Sequence, residues 1–159
     1  MIRAATKSVD DTRGLAAEVA ALAAPGDLVV LAGDLGTGKT AFAQGFARGL
    51  GVDEPVTSPA FILVRSYEGR LPLIHLDVYR LDQMQELVDL GIAELLDEGG
   101  VTLVEWGDAV TPALPPDFLE VRLEAGAAPD DRLVTVRSVG RSWPPRAERL
   151  RLALAPWTV

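Results

Sequence analysis

Eight consecutive residues, Gly33-Asp34-Leu35-Gly36-Thr37-Gly38-Lys39-Thr40, constrain this chain more than any other segment. They satisfy the pattern G-x-x-x-x-G-K-[ST] at every fixed position. Leu28-Val29-Val30-Leu31-Ala32 just ahead is a continuous apolar run, as a buried strand shows. Behind the motif, Phe42, Phe46 and Leu50 give a helix its apolar stripe before Gly49 and Gly51 end it. Strand, glycine turn and helix in that order open a βαβ unit. The chemistry requires these residue types. Glycines let the backbone curl until successive amide N–H groups converge on phosphate oxygens, and the positive end of the following helix faces the same anion. Gly33, Leu35, Gly36, Thr37 and Gly38, then Lys39, Thr40 and Ala41, are the expected nucleotide-binding residues. Lys39 is placed to act on the outer phosphates during catalysis, and the Thr40 hydroxyl to ligate Mg²⁺.

At 159 residues the chain is the size of one domain, read here as a single unit over 1–159. Apolar residues at 48% exclude a disordered chain, and a formal net charge of -8 argues against a protein that grips nucleic acid by itself. There is no cysteine, hence no disulfide framework and no thiolate metal site. Met1–Lys7 lacks a signal-peptide pattern and no apolar run reaches membrane-spanning length, so a cytoplasmic protein without membrane contact is expected. Lys7 and Lys39 are the only lysines against thirteen arginines, which sets Lys39 apart.

Elsewhere the pattern predicts more strands than helices. Ser8 caps a first helix carrying Leu15, Val19 and Leu22, which Pro25-Gly26 ends. Phe61-Ile62-Leu63-Val64 and Leu73-Ile74-His75-Leu76 are expected as a hairpin around Glu68-Gly69-Arg70, and Val101-Thr102-Leu103-Val104 as another buried strand. A helix is expected over about 82–97 with a break near Gly91, and Pro112, Pro115 and Pro116 mark a loop. Leu119-Val121-Leu123 and Leu133-Val134-Val136 suggest a second hairpin around 126–131, and a tail helix carries Leu150, Leu152 and Leu154. The expected class is α/β: a P-loop NTPase-like, mostly parallel sheet flanked by helices, with added antiparallel strands.

A nucleotide hydrolase of this kind needs a carboxylate for the Mg²⁺ shell and a group that positions water. Ligands of open α/β sheets lie at the carboxyl ends of strands, where two acids qualify. Glu105, after Val101–Val104, is read as the metal's acid and Asp77, after Leu73–Leu76, as the catalytic one, a solvated charge at a strand end being the other reading of each. His75, the sole histidine, shares a strand face with Asp77 and is expected to be structural. Trp106 is expected in the core, and Arg80 in a salt bridge or on phosphate. Thr57-Ser58-Pro59-Ala60-Phe61 occupies the position of a γ-phosphate-sensing switch, though an ordinary Ser-Pro turn fits the same residues.

In this order, Gly33–Thr40, Val56-Thr57-Ser58-Pro59-Ala60-Phe61, His75-Leu76-Asp77-Val78-Tyr79-Arg80-Leu81 and Leu103-Val104-Glu105-Trp106 resemble the TsaE family. These are small bacterial ATPases required for making threonylcarbamoyladenosine in tRNA. The resemblance runs over most of the chain, and its His-x-Asp-x-Tyr-Arg and Glu-Trp elements are far more specific than the glycine loop. It implies ATP and Mg²⁺ as cofactors, TsaD and TsaB as partners, and contact with tRNA only through their complex. It also implies Thr40 and Glu105 as Mg²⁺ ligands, Asp77 as the catalytic carboxylate and Thr12 as a residue close to the nucleotide. One departure stands out: where the family's switch reads Ser-Pro-Thr, Ala60 stands here, so a hydroxyl role at that position is absent or moved. Two other readings of the motif are a small-molecule kinase and a nucleotide-gated interaction module without turnover. The stretch from Met84 to Trp106 holds no arginine for a kinase lid, but Arg137, Arg141, Arg146, Arg149 and Arg151 could supply one.

Overall fold

The computed structural model describes residues 1–34, 36–57, 64–77, 91, 94, 96–105 and 114–159. Leu35, the switch residues 58–61, strand residues 61–63, Tyr79, Arg80, Trp106, Pro112 and most of the helix expected over 82–97 lie outside them. The described elements are β1 (Ile2–Thr6), α1 (Val9–Ala21), β2 (Leu28–Ala32), α2 (Lys39–Gly49), β3 (Val64–Tyr67), β4 (Leu73–Asp77), β5 (Val101–Glu105), β6 (Phe118–Ala125), β7 (Arg132–Val139) and α3 (Ala147–Ala153). A 3-10 turn, Pro144–Arg146, leads into α3.

All seven strands join one sheet in the order β1-β7-β6-β2-β5-β4-β3. β2, β4 and β5 are buried along their whole length, which explains why each is a continuous apolar run ending, in two cases, on an acid. The sheet has the parallel centre with added antiparallel strands that the sequence leads one to expect. β2 pairs in parallel with β5 and β6, and β4 with β5, but β1–β7, β6–β7 and β3–β4 are antiparallel. A parallel centre is thus extended at both edges by hairpins, whose short turns can only join antiparallel strands. The second hairpin falls where the sequence puts it. Of the first, the described part is β3 with β4, where Val64 pairs with Leu76 and Tyr67 with Leu73 across the turn, while residues 61–63 of the expected strand lie outside the described residues. Arg65 and Ser66 are exposed on β3, which is the outermost strand among the described residues.

Helices flank the sheet as expected, and among the described residues α1, α2 and α3 bury their apolar residues on the same face of it. Leu15, Val19, Phe42, Phe46, Leu150 and Leu154 meet Val29, Leu31, Leu103, Leu119 and Val121 there. The opposite face presents Leu28, Val30, Ile74, Leu76 and Val104 to a smaller cluster with Leu114 and Phe118. Leu152, expected in the tail's apolar stripe, is 66% exposed, since a helix this short aims only Leu150 and then Leu154 at the sheet. Ser8 caps α1 as expected, its hydroxyl accepting from the Asp11 N–H at 2.9 Å.

The closeness of α1 and α2 sets where the phosphate motif sits, and it rests on small residues. A Cβ on Gly45 would lie 2.2 Å from the Arg13 carbonyl oxygen, and one on Gly49 2.6 Å from that of Ala17. Gly45→Ala therefore forces the helices apart and should lower stability by about 1–3 kcal/mol, read as a smaller midpoint in urea unfolding. An unchanged midpoint would show that α1 can shift at no cost.

Candidate functional site

β2 delivers the chain to Gly33 at the carboxyl edge of the sheet, and α2 begins at Lys39. Between them the backbone needs glycine. At Gly33, φ is 143°, and a Cβ there would meet the Leu123 carbonyl oxygen at 2.4 Å and Thr37 Oγ1 at 2.7 Å. Gly38, with φ 102°, is the N-cap of α2 and provides no side-chain cap. The first N–H groups of α2 are therefore available to an anion rather than to a capping oxygen. The Thr37 hydroxyl closes the loop by donating to the Asp34 carbonyl at 2.7 Å.

Lys39 is buried to 5% exposure although it is charged. Its Nζ donates to the carbonyls of Gly33 and Asp34, each at 2.7 Å, so the ammonium lies folded over the loop. Thr40 follows, half-buried in the first turn of α2. Thr12, on α1, is buried, and its hydroxyl shares a 2.7 Å hydrogen bond with that of Thr6. With Gly38, Ala41, Asp130 and Arg132 it lines a small hollow beside the start of α2. Gly36 is exposed in the loop.

The two acids singled out from the sequence come together. Asp77 and Glu105 are the last residues of β4 and β5 and are register partners, and Glu105 in turn stands opposite Leu31 of β2. Partners in adjacent strands lie about 4.8 Å apart and point to the same side. By alternation that side is the face of Leu73 and Leu103, which belongs to the α1–α2 cluster. Both carboxylates thus belong to the sheet face covered by α2, at the edge from which the glycine loop springs. Both are buried, at 5% and 2% exposure.

Sequence reasoning missed what His75 does. Its Nε2 lies 2.6 Å from Glu105 Oε2, with both side chains almost wholly buried. The tautomer that donates from Nε2 leaves Nδ1 a bare acceptor, and Nδ1 has no hydrogen-bond partner among the described residues. Expected to be a structural residue, His75 instead contacts Glu105, the acid read as the metal's. The signal lay in a histidine two residues before Asp77; its partner 30 residues away was not legible. Among the described residues no three acids or histidines group as a metal cage.

Three of the five C-terminal arginines are held in ion pairs. Arg146 forms a bidentate pair with Asp27, which precedes β2 and so lies at the end of that strand away from the glycine loop. Arg137 pairs with Glu120 at 3.0 Å and Arg151 with Glu148.

A family model described as threonylcarbamoyl adenosine biosynthesis protein TsaE matches residues 6–134, spanning the loop, both acids and the start of β7. The chain belongs to the TsaE family. A TsaE relative from Bacillus subtilis, named tRNA threonylcarbamoyladenosine biosynthesis protein TsaE, is 41% identical over 91% of this chain and 90% of its own. Another of that name, from Treponema pallidum, is 40% identical over 85% of this chain and 99% of its own. Among solved structures, Bacillus subtilis YdiB superposes with a TM-score of 0.79 at 36% identity, covering 98% of this chain and 97% of that one. The TsaE resemblance seen in the sequence motifs therefore extends to the whole fold. No helix among the described residues is long and apolar enough to cross a membrane.

Proposed function

We propose that this protein is a Mg²⁺-dependent ATPase of tRNA threonylcarbamoyladenosine biosynthesis. In this reading ATP binding and hydrolysis drive the cycling of an assembly with TsaD and TsaB, and the threonylcarbamoyl transfer to the adenosine beside the anticodon belongs to TsaD. Family membership supports the pathway. The observation that carries the ATPase reading is the meeting of three features at one sheet edge: the uncapped start of α2, the ammonium of Lys39 over the loop, and the paired carboxylates of Asp77 and Glu105. The net charge of -8 fits a protein that leaves tRNA to its partners.

The residues present fit a Mg²⁺–triphosphate. Mg²⁺ is held through one or two carboxylates plus phosphate oxygens and waters, so a three-acid cage is not needed. Thr40 and Glu105 would hold it, and when bound it neutralises charge on the outer phosphates. The loop N–H groups bind and orient the triphosphate. Lys39 offsets negative charge that grows on the outer oxygens as the bond breaks. His75 holds Glu105 Oε2, which leaves Oε1 to face a ligand. Asp77, beside Glu105 in register, accepts a hydrogen bond from the attacking water and aims it.

This division of roles is tested by comparing Asp77→Ala with Glu105→Ala. Asp77→Ala should lower turnover by about 100-fold or more while ATP affinity stays within a few-fold. Glu105→Ala should weaken binding only when Mg²⁺ is present. Binding is read by calorimetry with and without Mg²⁺, and turnover by phosphate release in the presence of TsaD and TsaB. Loss of binding in Asp77→Ala with turnover preserved at saturating ATP would make Asp77 a structural acid.

A further inference from the structure

Arg132 opens β7, yet its guanidinium is spent on the phosphate loop and the turn before it. Nε donates to the Thr37 carbonyl at 2.9 Å and Nη2 to that of Gly36 at 3.2 Å. Nη1 donates to the carbonyls of Pro129 and Asp131, both at 2.8 Å. All four acceptors are main-chain oxygens, and two of them lie 95 and 96 residues away in sequence. We propose that Arg132 is a positioning residue of the nucleotide site: it shapes the phosphate loop from behind, making the β6–β7 turn part of that site.

The hold passes from oxygen to nitrogen through the geometry of the peptide unit. Each unit is planar and trans, so its C=O and N–H point in opposite directions. Holding the Gly36 oxygen fixes the direction of the Thr37 N–H, which donates to the Asp34 carbonyl at 3.3 Å and closes the loop, and holding the Thr37 oxygen fixes that of the Gly38 N–H. The first hold keeps the loop closed, and the second sets an amide in the stretch that must converge on phosphate. Without such a hold, a segment with glycines at 36 and 38 samples many conformations and loses that freedom on binding. A guanidinium suits the task because its donors form a rigid planar fork, whereas a lysine offers one rotating point charge. The turn is built to carry it: the Gly126 N–H donates to the Asp131 carbonyl at 2.9 Å and the Asp131 N–H to that of Ala128 at 3.0 Å. Its residues 127–130 are exposed, so the device can be reached from outside.

This inference rests on the ATP-binding reading, and the test separates the two. Mg–ATP is titrated calorimetrically into the wild type, Arg132→Ala, Arg132→Lys and Arg137→Ala, and each is melted without nucleotide. Loss of preorganisation should raise the Kd of Arg132→Ala about tenfold, with Arg132→Lys recovering little of it. The nucleotide-free melting temperature should fall by only about 5 °C or less. Arg137→Ala, which breaks an exposed pair on the same strand, should bind as the wild type does. In steady state, KM for ATP rises in Arg132→Ala while kcat at saturation is kept. An unchanged Kd in Arg132→Ala, whether or not its melting temperature falls, would make Arg132 a brace of the hairpin alone and overturn the inference. A wild type that does not bind Mg–ATP would instead overturn the ATPase reading, and this inference with it.

Discussion

Lys39→Ala is expected to abolish Mg–ATP binding at concentrations where the wild type saturates. The ammonium is buried to 5% exposure and pinned at 2.7 Å to two carbonyls of its own loop, so its charge is fixed in place rather than waving in solvent. A charge held in that way interacts with phosphate at reduced dielectric and has already lost its side-chain freedom. Its removal should raise Kd by at least about 100-fold, equivalent to about 2.7 kcal/mol. Lys39→Arg should not restore binding, because a planar fork is broader than the point charge that fits between the Gly33 and Asp34 oxygens. Circular dichroism of both variants checks that the fold survives. ATP affinity unaltered in a folded Lys39→Ala would mean that the nucleotide binds elsewhere.

The second large effect is on stability, far from the loop. Arg146 meets Asp27 through Nη1 at 2.6 Å and Nη2 at 2.9 Å, donates to the Leu22 and Ser142 carbonyls, and stacks 3.9 Å from the Trp143 ring centre. It ties the C-terminal segment to the entry of β2. Arg146→Ala leaves the Asp27 carboxylate buried with only the Ala24 N–H, at 2.7 Å, among the partners found for it. Breaking a buried pair from one side costs about 3–5 kcal/mol, and the melting temperature should fall by roughly 6–20 °C. The charge also acts on Asp117. Partial burial pushes that carboxyl up, but the Ser142 hydroxyl, the Ser142 and Arg141 N–H groups and Arg146 together hold it below its ordinary value. A carboxyl lowered on folding contributes stability above its unfolded value and loses it as pH falls, so Arg146→Ala should also flatten the acid limb of the stability profile. Replacing both partners, as in Asp27→Leu with Arg146→Met, should recover much of the loss, since it leaves no lone buried charge. ATP affinity should not change in Arg146→Ala at a temperature where it is folded. A loss below about 1 kcal/mol would class the pair with exposed ion pairs.

How much of this was readable in advance depends on how local the determinant is. The glycine loop is legible because φ and close approach dictate residue type one position at a time, as Gly33 shows against Leu123. β2, β4 and β5 are legible because burial on both faces leaves only apolar choices, and Asp77 and Glu105 stand out as acids ending such runs. Their being neighbours in register was not legible, since it depends on how β4 and β5 align. β1 escaped notice for a similar reason. Ile2–Thr6 has little strand character of its own and is held by pairing with β7 on one side and by the Val159 N–H to the Arg3 carbonyl on the other. His75–Glu105 and Arg132–Gly36 span 30 and 96 residues, and no periodicity encodes contacts that long. Arg146 was legible only as a charge; its burial against Asp27 removed it from a lid.

Amide resonances of the ¹⁵N-labelled protein, followed through a titration with Mg²⁺ and a non-hydrolysable ATP analogue, report directly on whether triphosphate oxygens meet the main chain of this loop. The account predicts the largest shifts at Gly36, Thr37, Gly38, Lys39 and Thr40, with smaller ones near the ends of β4 and β5. A saturating titration that leaves those five amides in place while others move would contradict it.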